Sequence, residues 1–149
     1  MQTVVAACAG FLLAVLWFDL MFDVQLRGHR AAALPDEVLI SISTYYRRVT
    51  TDAYPMNRLV ALVMLSMLAA LVVEIVADAV PWWVGWGSLA LAASGVVPTM
   101  TRTVPNARRL GSGQGTADER SALARGIFRD HCLSFGRTAL VLGLQLTAA

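Results

Sequence analysis

Four stretches of the chain are almost continuously apolar, at about 3–22, 56–78, 80–100 and, more weakly, 126–146. Each approaches the roughly 20 residues that cross a bilayer core, so the pattern predicts four transmembrane helices joined by polar connections. The first connection contains LPDEVLISISTYYRRVTTDAYP. Pro35, Asp36 and Glu37 make a good helix start, and Val38, Ile42, Tyr45 and Val49 then fall on one helical face. A short amphipathic helix is expected there, followed by a break or kink at Pro55 ahead of the second span. The connection RLGSGQGTADERS, rich in Gly and Ser with alternating charge, reads as a flexible loop. The predicted architecture is all-α: one membrane domain over 1–149, an up-down-up-down four-helix bundle with a cytoplasmic amphipathic helix between the first two spans.

Charge orients this bundle. Arg27, Arg30, Arg47, Arg48 and Arg58 follow the first span, and Arg102, Arg108, Arg109, Arg120, Arg125 and Arg129 lie between the third and fourth. The termini and the DAVPWW connection carry no arginine, so both long connections are expected in the cytoplasm and both termini outside. Trp82, Trp83 and Trp86 suit an aromatic belt at the outer interface. All 12 basic residues are arginine, a bias we read as the mark of a GC-rich bacterial genome, which places the chain in a bacterial inner membrane. With 57% hydrophobic and 15% charged residues and a net charge of +2, composition fits a lipid-embedded protein and excludes a nucleic-acid surface. The start of the chain has no basic residue before a long apolar run, which predicts a first span, not a signal peptide. Cys8 and Cys132 have no redox or metal spacing and read as buried free thiols.

Several polar groups fall where lipid is expected. Only twelve residues follow Arg137, about 18 Å of helix, so part of RDHCLSFGR must lie at membrane depth and Arg137 needs a partner there. Asp19, Asp23 and Arg27 recur at four-residue intervals on the first span, which makes Asp19 the expected partner of Arg137, with Asp23 paired to Arg27 or Arg58. A metal held by Asp19, Asp23 and His131 has suitable ligand types but lacks a paired-histidine motif, and no metal is assigned. Glu74 and Asp78 share a face of the second span near the outer interface, where they either reach water or form a proton or cation site. Ala6, Gly10 and Ala14, and Gly136, Ala139 and Gly143, have the spacing of tight helix contacts.

The four-span plan, YYRRVTTDAYPMNRL before a Pro-led second span, VPNARRL after the third, and an aromatic, His and GRTAL pattern opening the fourth resemble the anthrone oxygenase-like family of small membrane proteins. The resemblance implies cofactor-independent oxygenation of an apolar polyphenolic anthrone. A base removes an acidic proton, and a cation or amide steadies the developing oxyanion. On that basis His131 is the base and Arg137 the oxyanion partner. Asn106 or Asn57 supplies the amide, Asp19 completes the catalytic set, and Asp23, Tyr54, Asn57 and Arg58 border the substrate. Two other readings stand beside it, a structural or accessory membrane subunit and a small-solute or proton-coupled transporter. The partners expected are the lipid bilayer and an apolar small molecule, with self-association left open.

Overall fold

The computed structural model describes residues 1–29 and 31–148, with every side chain among them except those of Tyr54 and Met56. Among these residues all regular structure is helical. Helix α1 spans Gln2–Asp23, α2 Asp36–Arg47, α3 Tyr54–Val76, α4 Trp82–Pro98, α5 Val104–Gly111 and α6 Ala117–Thr147. The start of α2 is the one the sequence predicts: Pro35 precedes the helix, and Asp36 and Glu37 set negative charge against its N-terminal dipole. Pro55 sits in the first turn of α3, where its missing N–H costs nothing. A π-helical turn, Arg48–Asp52, makes the change of direction between α2 and α3, and a second, Thr99–Thr103, links α4 to α5.

The four long helices α1, α3, α4 and α6 pack in a ring, with α1 against α3 and α6, and α4 against α3 and α6. Gln2 Nε2 donates to the Ala148 carbonyl at 3.0 Å, joining the start of α1 to the end of α6, so these two run antiparallel. Val5, Ala9 and Leu12 of α1 meet Met67, Ala70 and Leu71 of α3, Ala92 of α4 and Val141 of α6 in the ring's core. A second core lies beyond one end of the ring. There α2 and α5 pack on each other and on the first half of α6, enclosing Leu26, Leu34, Leu39, Ile42, Tyr46, Leu110 and Ile127.

The loop expected after the third span is shorter than its composition suggests. The helix continues to Gly111, and α6 starts at Ala117 with a capping box in which Thr116 Oγ1 accepts from Glu119 N at 3.2 Å and Glu119 Oε2 accepts from Thr116 N at 2.8 Å. Helix α6 therefore runs 31 residues, about 46 Å, and its first turns belong to the second core. Small residues also act elsewhere than expected. A Cβ added at Gly10, Gly136 or Gly143 would meet nothing within 4 Å, whereas one at Gly111 would stand 2.7 Å from the Arg47 backbone nitrogen. The close backbone approach in this protein joins α5 to α2.

Among the described residues, two helical stretches, Gln2–Leu26 and Asn57–Val76, are long and apolar enough to cross a membrane. Only about a fifth of the apolar part of either stretch is buried inside the protein, the reverse of a soluble core helix. Trp17, Phe18, Leu62, Leu65, Val76, Trp82 and Trp86 all point outward and are exposed. Of the two thiols, Cys8 is half-buried and Cys132 is exposed, contrary to the burial expected of both.

Candidate functional site

The junction of the two cores holds a hydrogen-bonded polar network built from three helices. Asp19 and Asp23, one turn apart near the end of α1, project from the same face. Tyr45 and Tyr46 are consecutive on α2, and each takes one of the carboxylates. Tyr45 Oη donates to Asp19 Oδ1 at 2.6 Å, and Tyr46 Oη donates to Asp23 Oδ1 at 2.7 Å. Phe22 stacks on Tyr45 with ring centroids 4.0 Å apart and fixes that ring. From α6, His131 Nδ1 lies 2.8 Å from Asp23 Oδ2 and 3.5 Å from Tyr46 Oη, while Nε2 lies 4.0 Å from Asp19 Oδ2.

Asp23 is fully buried, and His131 and Tyr46 nearly so. A buried carboxylate is retained only with its lone pairs satisfied, and Asp23 has a phenol on one oxygen and an imidazole on the other. Burial, reinforced by Asp23 and its hydrogen bond, pushes the Tyr46 phenol far above its usual range. The same causes, with Asp19 in place of Asp23, act on Tyr45. Both phenols therefore stay protonated and serve as donors. With Nδ1–H donating to Asp23, Nε2 is the nitrogen that gains or loses a proton, and it faces Asp19.

Tyr45 also lines an open cleft of about 300 Å³ with Phe22, Ser41, Thr44 and Arg48. Polar groups thus run from the cleft through Tyr45 to Asp19 and, across a 4.0 Å gap to His131 Nε2, on through Asp23 to Tyr46.

The expected Asp19 to Arg137 pair is not formed. Asp19 is engaged by Tyr45 and approached by His131, and among the described residues no ion pair includes Arg137. The reason is helical phase. His131 and Arg137 are six residues apart on α6, about 120° in projection, and His131 takes the face toward α1. Arg137 is half-buried on the face toward α4, with one guanidinium nitrogen 3.9 Å from where a Cβ on Gly95 would stand. It borders a small cavity of about 40 Å³ together with Thr99, Arg102, Asp130 and Ser134. The ion pair there joins the exposed Arg102 to the buried Asp130. Arg102 Nε donates to Asp130 Oδ2 at 2.9 Å, its Nη2 donates to Oδ1, and Thr103 Oγ1 adds a bond of 3.1 Å.

The remaining candidates are dispersed. Asn57 is exposed and donates to the Thr50 carbonyl at 3.1 Å, closing the π-helical turn. Arg58 is exposed in the first turn of α3, and Asn106 is half-buried on α5. The Tyr54 side chain lies outside the described residues. Asp19, Asp23 and His131 do come together, but tyrosine hydroxyls already occupy both carboxylates, and among the described residues no group of three His, Cys, Asp or Glu side chains is arranged to hold a metal ion. Tyr45, Tyr46, Phe22, Arg48, Arg102 and Thr103 are the site residues that sequence reasoning missed. The adjacent pair Tyr45 and Tyr46 was a legible signal, since two phenols on a mostly apolar face need acceptors. Comparison of the chain with protein-family models, with curated proteins and with solved structures gives no match in any of the three.

Proposed function

We propose that the chain is a four-span membrane bundle, its second core lying at the cytoplasmic interface, and that the network of Tyr45, Asp19, His131, Asp23 and Tyr46 is an acid–base site for an apolar phenolic substrate. The observation that carries this reading is the double role of Tyr45, whose hydroxyl end is bonded to Asp19 while the residue lines the cleft. A cleft beside Phe22 and Arg48 offers an aromatic face and a cation to a flat hydroxylated ring arriving from lipid.

The reaction class is the one implied by the resemblance to anthrone oxygenases. The relay accepts a proton from the acidic ring carbon of the anthrone. The resulting anion adds dioxygen at that carbon, and a returned proton completes the hydroperoxide. Loss of water gives the quinone, so that anthrone and dioxygen become anthraquinone and water. In this scheme Asp19 and His131 hold the proton in transit, Tyr45 passes it at the cleft, and Arg48, not Arg137, steadies the oxyanion.

The test is dioxygen uptake by the purified protein in detergent with a hydroxylated anthrone, corrected for autoxidation. Wild type is expected to exceed background, and Tyr45→Phe and Asp19→Asn to lower the rate by about 10²-fold, the lower end of general acid–base effects. Wild-type uptake equal to background would overturn the enzymatic reading. A second reading, an accessory subunit in which the network is only a clamp, is favoured by one observation: the network ties α1, α2 and α6 together, and His131 borders neither cavity.

A further inference from the structure

Near the opposite end of the ring, by the start of α1, a second polar cluster is buried without the donors its acceptors need. Glu74, two residues before the end of α3, is fully buried, and neither of its carboxylate oxygens has a hydrogen-bond partner. Gln145 of α6, 1% exposed, lies beside it without a well-formed hydrogen bond to either oxygen. Its amide nitrogen donates to Ser88 Oγ of α4 at 3.3 Å, and Gln145 Oε1 is unpartnered as well. Ser88 is itself fully buried. The Met1 amino group is near enough for Glu74 to feel its charge but forms no ion pair with it. Asp78, expected to share this environment, is instead exposed in the turn after α3.

Three helices thus bring oxygen atoms together with an excess of acceptors and a single formal negative charge. An unpaired carboxylate in an apolar interior is among the costliest arrangements a protein can keep. The unpartnered oxygens, both of Glu74 and Oε1 of Gln145, are ligands suited to a hard cation, and a single carboxylate balances one positive charge, whereas a divalent ion would leave a charge uncompensated. We propose that Glu74, Gln145 and Ser88 form a binding site for a small monovalent cation of the sodium type, which would tie α3, α4 and α6 together at this end.

The test is the thermal unfolding of the purified full-length protein in detergent, in sodium, potassium or choline chloride at equal pH and ionic strength. Sodium is expected to raise the unfolding temperature in a saturable way, by roughly 5 °C at about a hundredfold its dissociation constant, and choline not at all. Glu74→Gln supplies a donor in place of the charge and should abolish the sodium effect, and Ser88→Ala should weaken it. Should neither variant fold, radioactive sodium binding to wild type decides, with about one ion per chain expected and an apolar carbodiimide that modifies Glu74 expected to block it. Equal unfolding temperatures in sodium and choline, an undiminished sodium effect in Glu74→Gln, or the absence of carbodiimide-sensitive sodium binding would each overturn the proposal.

Discussion

Tyr46 and Asp23 show how much of the candidate site is decided by single atoms. Their hydrogen bond of 2.7 Å is sealed from water on both sides, so Tyr46→Phe leaves Asp23 Oδ1 a buried acceptor with no donor. The expected cost is about 1 to 3 kcal/mol, nearer the upper figure because the acceptor is charged. The titration behaviour follows from the same pair. The phenols of Tyr45 and Tyr46 are pushed up in the folded protein, while the unfolded chain releases those protons near pH 10. Above that pH the unfolded state binds fewer protons than the native state, so stability is fully present below about pH 10 and falls as pH rises. Unfolding temperatures measured between about pH 8 and pH 11 should drop along the alkaline limb, and the drop should be shallower in Tyr46→Phe. A limb of unchanged slope would mean that Tyr46 already ionises normally in the fold.

At the scale of elements, the apolar runs and the Pro-Asp-Glu start announced α1 to α4 and the amphipathic α2 closely, because hydrophobic length and caps are local properties. The long first half of α6 was masked by its own composition. Gly111, Ser112, Gly113 and Gly115 read as loop, and the Thr116 to Glu119 box was the one local sign that a helix begins just after them. Gly111 in fact serves a contact. A Cβ there would come within 2.9 Å of both Arg47 Cα and the Tyr46 carbonyl carbon, neither of which can yield without moving α2. Helix propensity alone makes Gly111→Ala favourable by about 1 kcal/mol, so the two effects differ in sign. We expect the unfolding temperature of Gly111→Ala to fall, and a rise would show that α2 and α5 separate readily. The direction in which Arg137 faces was not legible for a related reason. Helical phase gives the angle between His131 and Arg137 but not which of the two faces α1, and that choice is made by the packing of α6 between α1 and α4.

At the scale of the whole molecule, an apolar exterior on α1, α3 and α4 meets polar groups gathered at the two ends of the ring. His131 and Asp19, both candidates from the sequence, lie 4.0 Å apart, but the tyrosine that links Asp19 to the cleft comes from α2, an amphipathic helix whose pattern allowed it either to lie on the membrane or to pack under the bundle, and which packs on α5 and α6. The central claim is that the cleft and His131 are two ends of one proton path. Nitrogen-15 NMR of histidine-labelled protein in detergent tests it most directly, since the chain has two histidines and His29 is exposed outside the helices. Addition of a hydroxylated anthraquinone, which can occupy the cleft without reacting, is predicted to shift the His131 ring nitrogens. In Tyr45→Phe the ligand should still bind while that shift is lost. A His131 signal unmoved at saturating ligand, or moved equally in Tyr45→Phe, would contradict the account.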